Sequence, residues 1–228
     1  MRIGALQKTT MLDFPGRVSA IVFAQGCNFV CPYCHNPDLK RQGDLLEPDG
    51  VLEFLTRRRR LLEGVVITGG EPTLQEGLAE FCRELKELGY AIKLDTNGSR
   101  PDVLERLLRE NLLDYVAMDV KADPRRYPRE ISAADAGDAV SASVDILNGS
   151  PVPREFRVPC AEPFINRESF QAILEMIPGD IPIFLQKIRL ERVLDPDFFA
   201  GRGRALNRAE MELLRAQADS RGKTCLIR

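Results

Sequence analysis

Three cysteines within eight residues form the densest group of metal-binding side chains in the sequence. Cys27, Cys31 and Cys34 follow the pattern CxxxCxxC. Thiolates favour soft metal centres such as zinc and iron–sulfur clusters. A four-iron cluster normally takes four cysteines, so three cysteines would leave one iron with an open coordination position, as in a catalytic metal site. The spacing therefore predicts a metal centre, and the count favours a catalytic one.

A structural zinc site is the alternative, and it needs a fourth ligand. His35 is the only histidine and directly follows Cys34, which makes it awkward as a ligand of the same ion. Cys82 and Cys225 fall at apolar positions of a predicted helix and a predicted strand, which is typical of buried cysteines. Cys160 comes at the end of a predicted strand, and its role stays open.

Polar residues also follow three of the predicted strands. Because the carboxyl ends of parallel strands meet at one rim, residues placed there can act together on a ligand. Taken alone, each motif also has a purely structural interpretation. A glycine pair or Asn-Gly is a common turn signal. An Asp and a Lys two residues apart can form a surface ion pair. These candidate residues are Gly69, Gly70, Glu71, Asp95, Thr96, Asn97, Asp119 and Lys121.

The elements that would position these residues alternate between strands and helices. Such alternation predicts an α/β fold built on a parallel sheet. An eight-unit barrel takes about 250 residues, so we expect a partial, open (β/α)6 TIM-like barrel with a short N-terminal extension and a C-terminal helix. Strands are predicted at 19–24, 64–68, 91–95, 115–120, 154–159 and 182–186, and helices near 49–62, 75–88, 101–111, 135–148 and 167–177.

One domain is expected over residues 1–228. Residues 1–18 would form the extension and 19–187 the barrel. Residues 188–228 would close one edge of the sheet with a loop over 188–206, a helix near 207–219 and a terminal strand. No low-complexity tract or linker marks a boundary.

The composition excludes several classes of protein. With 32 Lys and Arg against 34 Asp and Glu, the net charge of −2 gives no general attraction to nucleic acid or to an anionic membrane. No apolar run is long enough to cross a bilayer, so a cytoplasmic protein is expected. Two arginine-rich segments, 57–60 and 188–204, could bind a partner, although short charged runs usually form a solvated face.

The cysteine loop and the motifs after the strands together resemble the radical S-adenosylmethionine (SAM) enzymes. Within that superfamily the chain most resembles the activating enzymes of glycyl radical enzymes, of the anaerobic ribonucleoside-triphosphate reductase and pyruvate formate-lyase type. The resemblance covers most of the chain and rests on the segments DFPG (13–16), VFAQGCNFVCPYCHNP (22–37), TGGEPTLQ (68–75), DTNG (95–98) and MDVKA (118–122).

This resemblance implies a role for each candidate residue. Cys27, Cys31 and Cys34 would hold one [4Fe-4S] cluster whose open iron binds SAM, and Tyr33 would contact the adenine. The resemblance also implies a monovalent cation near the Asp-Thr pair and Asp119. The SAM-binding residues would be Gly69 and Gly70 through their backbone, Glu71 at the methionyl ammonium, Asp95, Thr96 and Asn97 at the methionyl end or ribose, and Asp119 with Lys121 at the carboxylate.

The implied reaction is reductive cleavage of SAM to a 5′-deoxyadenosyl radical, which would abstract hydrogen from a glycine of a partner glycyl radical enzyme. The electron would come from a flavodoxin or ferredoxin-type donor. Only 34 residues separate Cys34 from Gly69, which is typical of the short, single-cluster type. Two alternatives remain: a radical SAM enzyme acting on a small molecule or peptide, and a non-catalytic zinc-binding or electron-transfer module.

Overall fold

The computed structural model describes residues 1–40, 43–132 and 136–228. The chain divides into two compact units. The first contains residues 1–28, 38–96 and 102–116, and the second contains residues 29–37, 97–101 and 117–228. The single-domain organisation stays a prediction.

The first unit is built on a sheet with one antiparallel edge. Strand β1 pairs antiparallel with β2, and β2, β3 and β4 are parallel and adjacent in chain order. Crossover helices link the parallel strands, as the alternation of elements predicts. The strands are β1 (Ile3–Thr10), β2 (Ser19–Ala24), β3 (Gly64–Gly69) and β4 (Ala91–Thr96), and the helices are α1 (Pro48–Arg58), α2 (Leu78–Glu87) and α3 (Pro101–Arg109).

Strand β5 (Tyr115–Asp119) begins in the first unit and ends in the second. In the second unit β6, β7 and β9 are parallel neighbours, and the short β8 lies antiparallel against β6. The elements are α4 (Gly137–Asn148), β6 (Arg154–Glu162), α5 (Arg167–Met176), β7 (Ile183–Lys187), α6 (Pro196–Gly201), β8 (Arg204–Ala205), α7 (Arg208–Asp219) and β9 (Cys225–Ile227).

Local sequence explains where several helices begin. Pro48 and Pro101 stand at the first helical position, where a missing N–H costs nothing. Asn166 and Asn207 start α5 and α7 with capping boxes, in which each Asn side chain accepts a hydrogen bond from the backbone three residues on.

The six predicted barrel strands and the terminal strand are confirmed, as are the six predicted helices, with ends that shift by up to four residues. The predicted helix near 135–148 begins at Gly137, and its expected first residue lies outside the described residues. One prediction is wrong: the predicted loop over 188–206 contains α6, because Asp195 caps a helix that Pro196 starts. The N-terminal extension contains a strand, β1, which is not among the predicted strands.

No helix in the described ranges is long and apolar enough to cross a membrane.

Candidate functional site

The two glycines at the end of β3 allow its backbone to lie against the backbone that leads into Cys27. Gly70 N donates to Ala24 O at 2.8 Å, and Glu71 N donates to Gly26 O at 2.8 Å. A Cβ on Gly70 would lie 2.0 Å from Gly26 O, and Gly69 has a φ of +116°. Only glycine allows this approach. The backbones of Gly69 and Gly70 are therefore held directly beside the segment before the first cysteine.

Glu71 presents a buried and oriented carboxylate in the first unit. It is only 1% exposed. Its Oε1 accepts hydrogen bonds from Thr73 N at 3.1 Å, Thr73 Oγ1 at 2.6 Å and Thr96 Oγ1 at 2.7 Å. Three hydrogen bonds to one oxygen hold this carboxylate in a fixed direction. The structure thus brings together two predicted site residues, Glu71 and Thr96.

Asp95, at the end of the same strand as Thr96, forms an ion pair with Lys93. The side chain of Asp95 is 17% exposed, whereas that of Lys93 is fully buried. All five candidate residues of this unit lie at or just after the carboxyl ends of β3 and β4: Gly69, Gly70, Glu71, Asp95 and Thr96.

In the second unit, hydrogen bonds hold the cysteine loop to distant parts of the chain. Cys34 N donates to Cys31 O at 3.0 Å, which closes a turn between these two cysteines. Val30 N donates to Ile131 O at 2.7 Å, and Asp195 N donates to Pro32 O at 3.0 Å. These bonds fix the backbone on which Cys31 and Cys34 are carried.

His35 also anchors this loop. Its Nε2 lies 3.2 Å from Arg189 O and 3.3 Å from Arg189 N. The ring thus faces the backbone of the 188–206 segment.

Asp119 and Lys121 form an ion pair at 2.7 Å, as their two-residue spacing on one strand face predicts. The pair is largely shielded, because the side chain of Lys121 is 12% exposed and that of Asp119 is 29% exposed. Burial alone would lower the pKa of Lys121, but the neighbouring carboxylate of Asp119 and the Cys31 sulfur outweigh it and raise the pKa. Lys121 is therefore a permanent point charge close to Cys31.

Tyr33 and Asn97 have structural contacts in the second unit. The Tyr33 ring is buried and packs edge-on against Phe164, with ring centres 5.7 Å apart. Burial, followed by the nearby Cys31, raises the pKa of Tyr33 well above its ordinary value, so its hydroxyl stays neutral. Asn97 Oδ1 accepts from Ser99 N at 2.9 Å, which is the turn that Asn-Gly predicts.

The remaining three cysteines are buried, as predicted for Cys82 and Cys225. Desolvation raises the pKa of Cys82, Cys160 and Cys225 to about 12 in each case. A thiol that resists ionisation is a poor metal ligand, because the thiolate is the binding form. Cys160, left open by the sequence, is fully buried and donates to Val158 O.

Across the described ranges, no group of three or more His, Cys, Asp and Glu side chains is arranged around a single ion. A cubane cluster does not require such convergence, because each cysteine binds a different iron. Three thiol donors in one loop therefore fit a [4Fe-4S] cluster with three cysteine ligands. The roles of these residues and the monovalent cation stay predictions.

Three neighbours of the site were not anticipated from the sequence. Thr73 fixes Glu71, Lys93 pairs with Asp95, and Tyr127 lies 3.4 Å from the backbone N of Lys121 through its hydroxyl. The Thr73 contact is the usual bond from an N-cap carboxylate to the second helical position, which E-P-T could have indicated. Lys93 could have been found as a charged residue within the apolar strand AIKLD.

A cavity of about 480 Å³ opens in the second unit between the loops that follow β5 and β6. Its volume falls in the range of ligand-binding pockets. It lies at the rim where parallel α/β proteins bind ligands. Charged and apolar side chains share its lining, among them Asp123, Arg125, Arg126, Phe164, Asn166 and Glu168.

Residues 21–177 match the model of the radical SAM superfamily, and the chain belongs to this superfamily. The match includes all three cysteines of the loop and every motif after β3, β4 and β5. An iron–sulfur cluster and SAM are the cofactors that membership implies.

Relatives with curated names extend this result. A protein of Methanocaldococcus jannaschii named "Putative glycyl-radical enzyme activating enzyme MJ1227" is 30% identical over 205 residues, covering 86% of this chain and 83% of the relative. The pyruvate formate-lyase-activating enzyme of Clostridium pasteurianum is 34% identical, covering 53% of this chain and 52% of its own. A "Probable GTP 3',8-cyclase" of Saccharolobus solfataricus is 34% identical, covering 53% and 40%.

Solved structures show the same fold at low sequence identity. TYW1 with a lysine-pyruvate adduct bound has a TM-score of 0.61 at 17% identity, covering 89% of this chain and 73% of its own. Streptococcus suis SuiB bound to S-adenosylmethionine has a TM-score of 0.66 at 13% identity, covering 91% and 49%. The predicted fold class, a partial and open TIM-like barrel, is confirmed.

Proposed function

We propose that this chain is an activating enzyme that generates a radical on a glycine of a partner glycyl radical enzyme. The observation that carries the proposal is the 30% identity with the M. jannaschii relative, which extends over 86% of this chain and beyond the superfamily core. Two motifs that the family resemblance links to the activating enzymes also support the proposal: DTNG over Asp95 to Gly98, and the Asp119 to Lys121 part of MDVK.

The chain's own residues would bind and orient the cofactors. Cys27, Cys31 and Cys34 would hold a [4Fe-4S] cluster through their thiolates. When bound, this cluster would supply the electron for reductive cleavage of SAM, the chemistry that lets the deoxyadenosyl part of SAM take hydrogen from the glycine Cα. A cytoplasmic location and a flavodoxin or ferredoxin-type reductant belong to the same proposal.

The hydrogen bonds and the ion pair of the site support a role for each polar group. Glu71, fixed by Thr73 and Thr96, would accept a hydrogen bond from the methionyl ammonium. Lys121, whose charge Asp119 stabilises, would bind the carboxylate as a cation. The exposed backbones of Gly69 and Gly70 would allow SAM to approach closely.

A polypeptide target also needs space beside these groups. The cavity between the loops after β5 and β6 begins at Ala122, directly after Lys121. Its lining includes Phe164, whose ring packs on Tyr33. This placement supports a segment of partner protein entering next to Lys121 and Tyr33.

The test of the chemistry is anaerobic reconstitution with iron and sulfide, followed by reduction with dithionite. We expect an electron paramagnetic resonance signal of a cubane cluster that shifts when SAM is added, together with formation of 5′-deoxyadenosine. Cys31→Ala should abolish both, whereas Cys225→Ala, which removes a thiol from β9, should retain them. Stoichiometric zinc, or a cluster indifferent to SAM, would support the non-catalytic alternative instead.

The test of the substrate is a partner assay with the reconstituted protein. A glycyl radical enzyme whose gene lies beside that of this chain should acquire a glycyl radical signal in the presence of SAM and reductant. The partner's Gly→Ala variant at the radical position is the control and should acquire none.

A small-molecule substrate is the second candidate, because the relative named as a GTP 3',8-cyclase is 34% identical over 122 residues. This chain spans only 40% of that relative. Formation of 5′-deoxyadenosine coupled to a modified nucleotide, with no radical on any partner, would favour this candidate.

A further inference from the structure

Lys93 is a lysine enclosed by the apolar interior of the first unit. Its side chain has 0% exposure. It lies opposite Val66 of β3, and Val66 belongs to an apolar cluster with Phe14 and Ile21. The Tyr115 ring also faces it, with the ammonium 6.0 Å from the ring centre.

A buried ammonium is expensive unless a partner compensates it, and an apolar residue would fill this position at lower cost. Packing therefore does not explain why a lysine occupies this position. We look for the explanation in the positive charge of Lys93 and in the carboxylate that it contacts.

The partner of Lys93 is Asp95, two residues along β4 and thus on the same face of the strand. The two side chains differ in burial: that of Lys93 is fully buried, whereas that of Asp95 is 17% exposed. The next residue, Thr96, donates to Glu71 at 2.7 Å. Lys93 thus holds the carboxylate of the residue that directly precedes Thr96 in β4.

We propose that Lys93 is a positioning residue that supplies a built-in positive charge to Asp95, so that this carboxylate binds SAM without a free monovalent cation. The proposal rests on the proposed function, in which Asp95 contacts SAM. A carboxylate facing a ligand can be neutralised by a captured ion or by a side chain of the protein. Here the ammonium of Lys93 is already in contact with Asp95, and it takes the role that the resemblance implies for a monovalent cation.

The test measures SAM binding by titration calorimetry to the anaerobically reconstituted protein in tetramethylammonium, sodium or potassium chloride at equal ionic strength. The wild-type Kd should agree within about twofold across the three salts. Lys93→Met keeps the volume and removes the charge, so SAM should bind at least about tenfold more weakly in tetramethylammonium, with part of the loss restored by sodium or potassium. Lys93→Arg, which keeps the charge, should show no dependence on the cation.

Lys86→Met is the matched control. It breaks another Lys–Asp pair of the first unit, with Asp114 at 2.5 Å, on a part-exposed surface. Its Kd should equal that of the wild type in every salt. If loss of an ion pair were enough to weaken SAM binding, both Lys→Met variants would bind SAM more weakly. Only a specific role of Lys93 predicts a higher Kd for Lys93→Met alone and a partial recovery of that Kd in sodium or potassium.

Two results would overturn the proposal. A wild-type protein that needs sodium or potassium to bind SAM would show that Lys93 does not replace the cation, and a Lys93→Met variant that binds SAM as tightly as the wild type would show that the charge is not used.

A double-mutant cycle on the cluster-free protein separates this proposal from the proposed function. Asp95→Asn should lower the unfolding midpoint more in the wild type than in Lys93→Met, because it leaves the buried ammonium without its carboxylate only in the former. If the wild type binds no SAM at all, the proposed function fails. The cycle still decides whether Lys93 and Asp95 are coupled, and additive effects would refute their pairing.

Discussion

At the scale of single residues, the glycine at position 70 sets how closely two strand ends approach. Gly70→Ala would place a methyl group 2.0 Å from Gly26 O, a backbone atom that cannot yield cheaply. We expect the variant to lose about 1–3 kcal/mol of unfolding free energy, the range found for overpacked sites, and to bind SAM more weakly. Urea unfolding of the cluster-free protein measures the first effect.

Gly50→Ala serves as the control for this substitution. Gly50 lies in α1, and a Cβ there meets nothing within 4 Å. Because alanine lowers the entropy of the unfolded chain, this variant should be more stable by about 0.4–1 kcal/mol. Equal effects of the two substitutions would mean that the approach at Gly70 is not tight.

The side-chain hydroxyl of Thr96 helps to orient the carboxylate of Glu71. This hydroxyl donates to the buried carboxylate of Glu71 at 2.7 Å. Thr96→Val removes the donor while keeping the shape, and a hydrogen bond to a charged group contributes about 1.5–3 kcal/mol. We expect a comparable loss of unfolding free energy and at least about tenfold weaker SAM binding, measured by calorimetry. Thr96→Ser keeps the hydroxyl and should retain most of both, so a serine variant as weak as the valine variant would contradict this role.

At the scale of elements, helix α6 supports the cysteine loop through a row of aromatic rings. Phe198 stacks on Phe164 with ring centres 5.5 Å apart, and Phe164 contacts Tyr33. The cap residue of the helix, Asp195, also donates its backbone N to Pro32 O at 3.0 Å. The helix therefore contacts the loop that carries Cys31 and Cys34 by two routes.

Phe198→Ala should therefore expose the cysteine loop. The cavity would cost about 3–5 kcal/mol of unfolding free energy. In the reconstituted protein, we expect the visible absorbance of the cluster to bleach several-fold faster in air than in the wild type. Phe199→Ala removes the neighbouring, less buried ring of the same helix and should bleach at nearly the wild-type rate. Equal rates for both variants and the wild type would exclude a protective role for α6.

The barrel elements could be predicted from the sequence because their signals are local. The run SAIVFA and the Pro at the start of α3 each identify an element without knowledge of the rest of the chain. Strand β1 could not be predicted, since IGALQKTT has polar residues on much of its length and forms a strand only because β2 offers a free edge.

In the candidate site, too, local motifs could be predicted from the sequence and contacts between distant segments could not. Motif residues such as Glu71 are recognisable from sequence, whereas the residues that orient them depend on contacts between strands. Thr96 is 25 positions from Glu71 along the chain, and no pattern in either segment reveals that they share a hydrogen bond. Lys93 is visible in the sequence, but its use requires knowledge of its burial.

At the scale of the whole molecule, the six cysteines fall into two chemical classes that do not follow the division into units. Cys27 and Cys34 are partly exposed, and Cys31 is 6% exposed in the same loop. Cys82, in the first unit, and Cys160 and Cys225, in the second, are buried with pKa values raised to about 12. Only the loop is therefore equipped for thiolate chemistry.

This division predicts the outcome of thiol labelling over the entire chain. At pH 8 a thiol with a pKa of about 12 is ionised in only about one molecule in ten thousand, and burial blocks the reagent as well. A maleimide should label Cys27 and Cys34 of the native, cluster-free protein first and Cys31 more slowly, as read by peptide mass spectrometry. Cys82, Cys160 and Cys225 should react only after unfolding. Reconstitution with iron and sulfide should protect all three loop cysteines together, because each would then be bound to iron. If Cys82, Cys160 or Cys225 were labelled rapidly in the native, cluster-free protein and protected by reconstitution, a thiol outside the loop would belong to the metal centre.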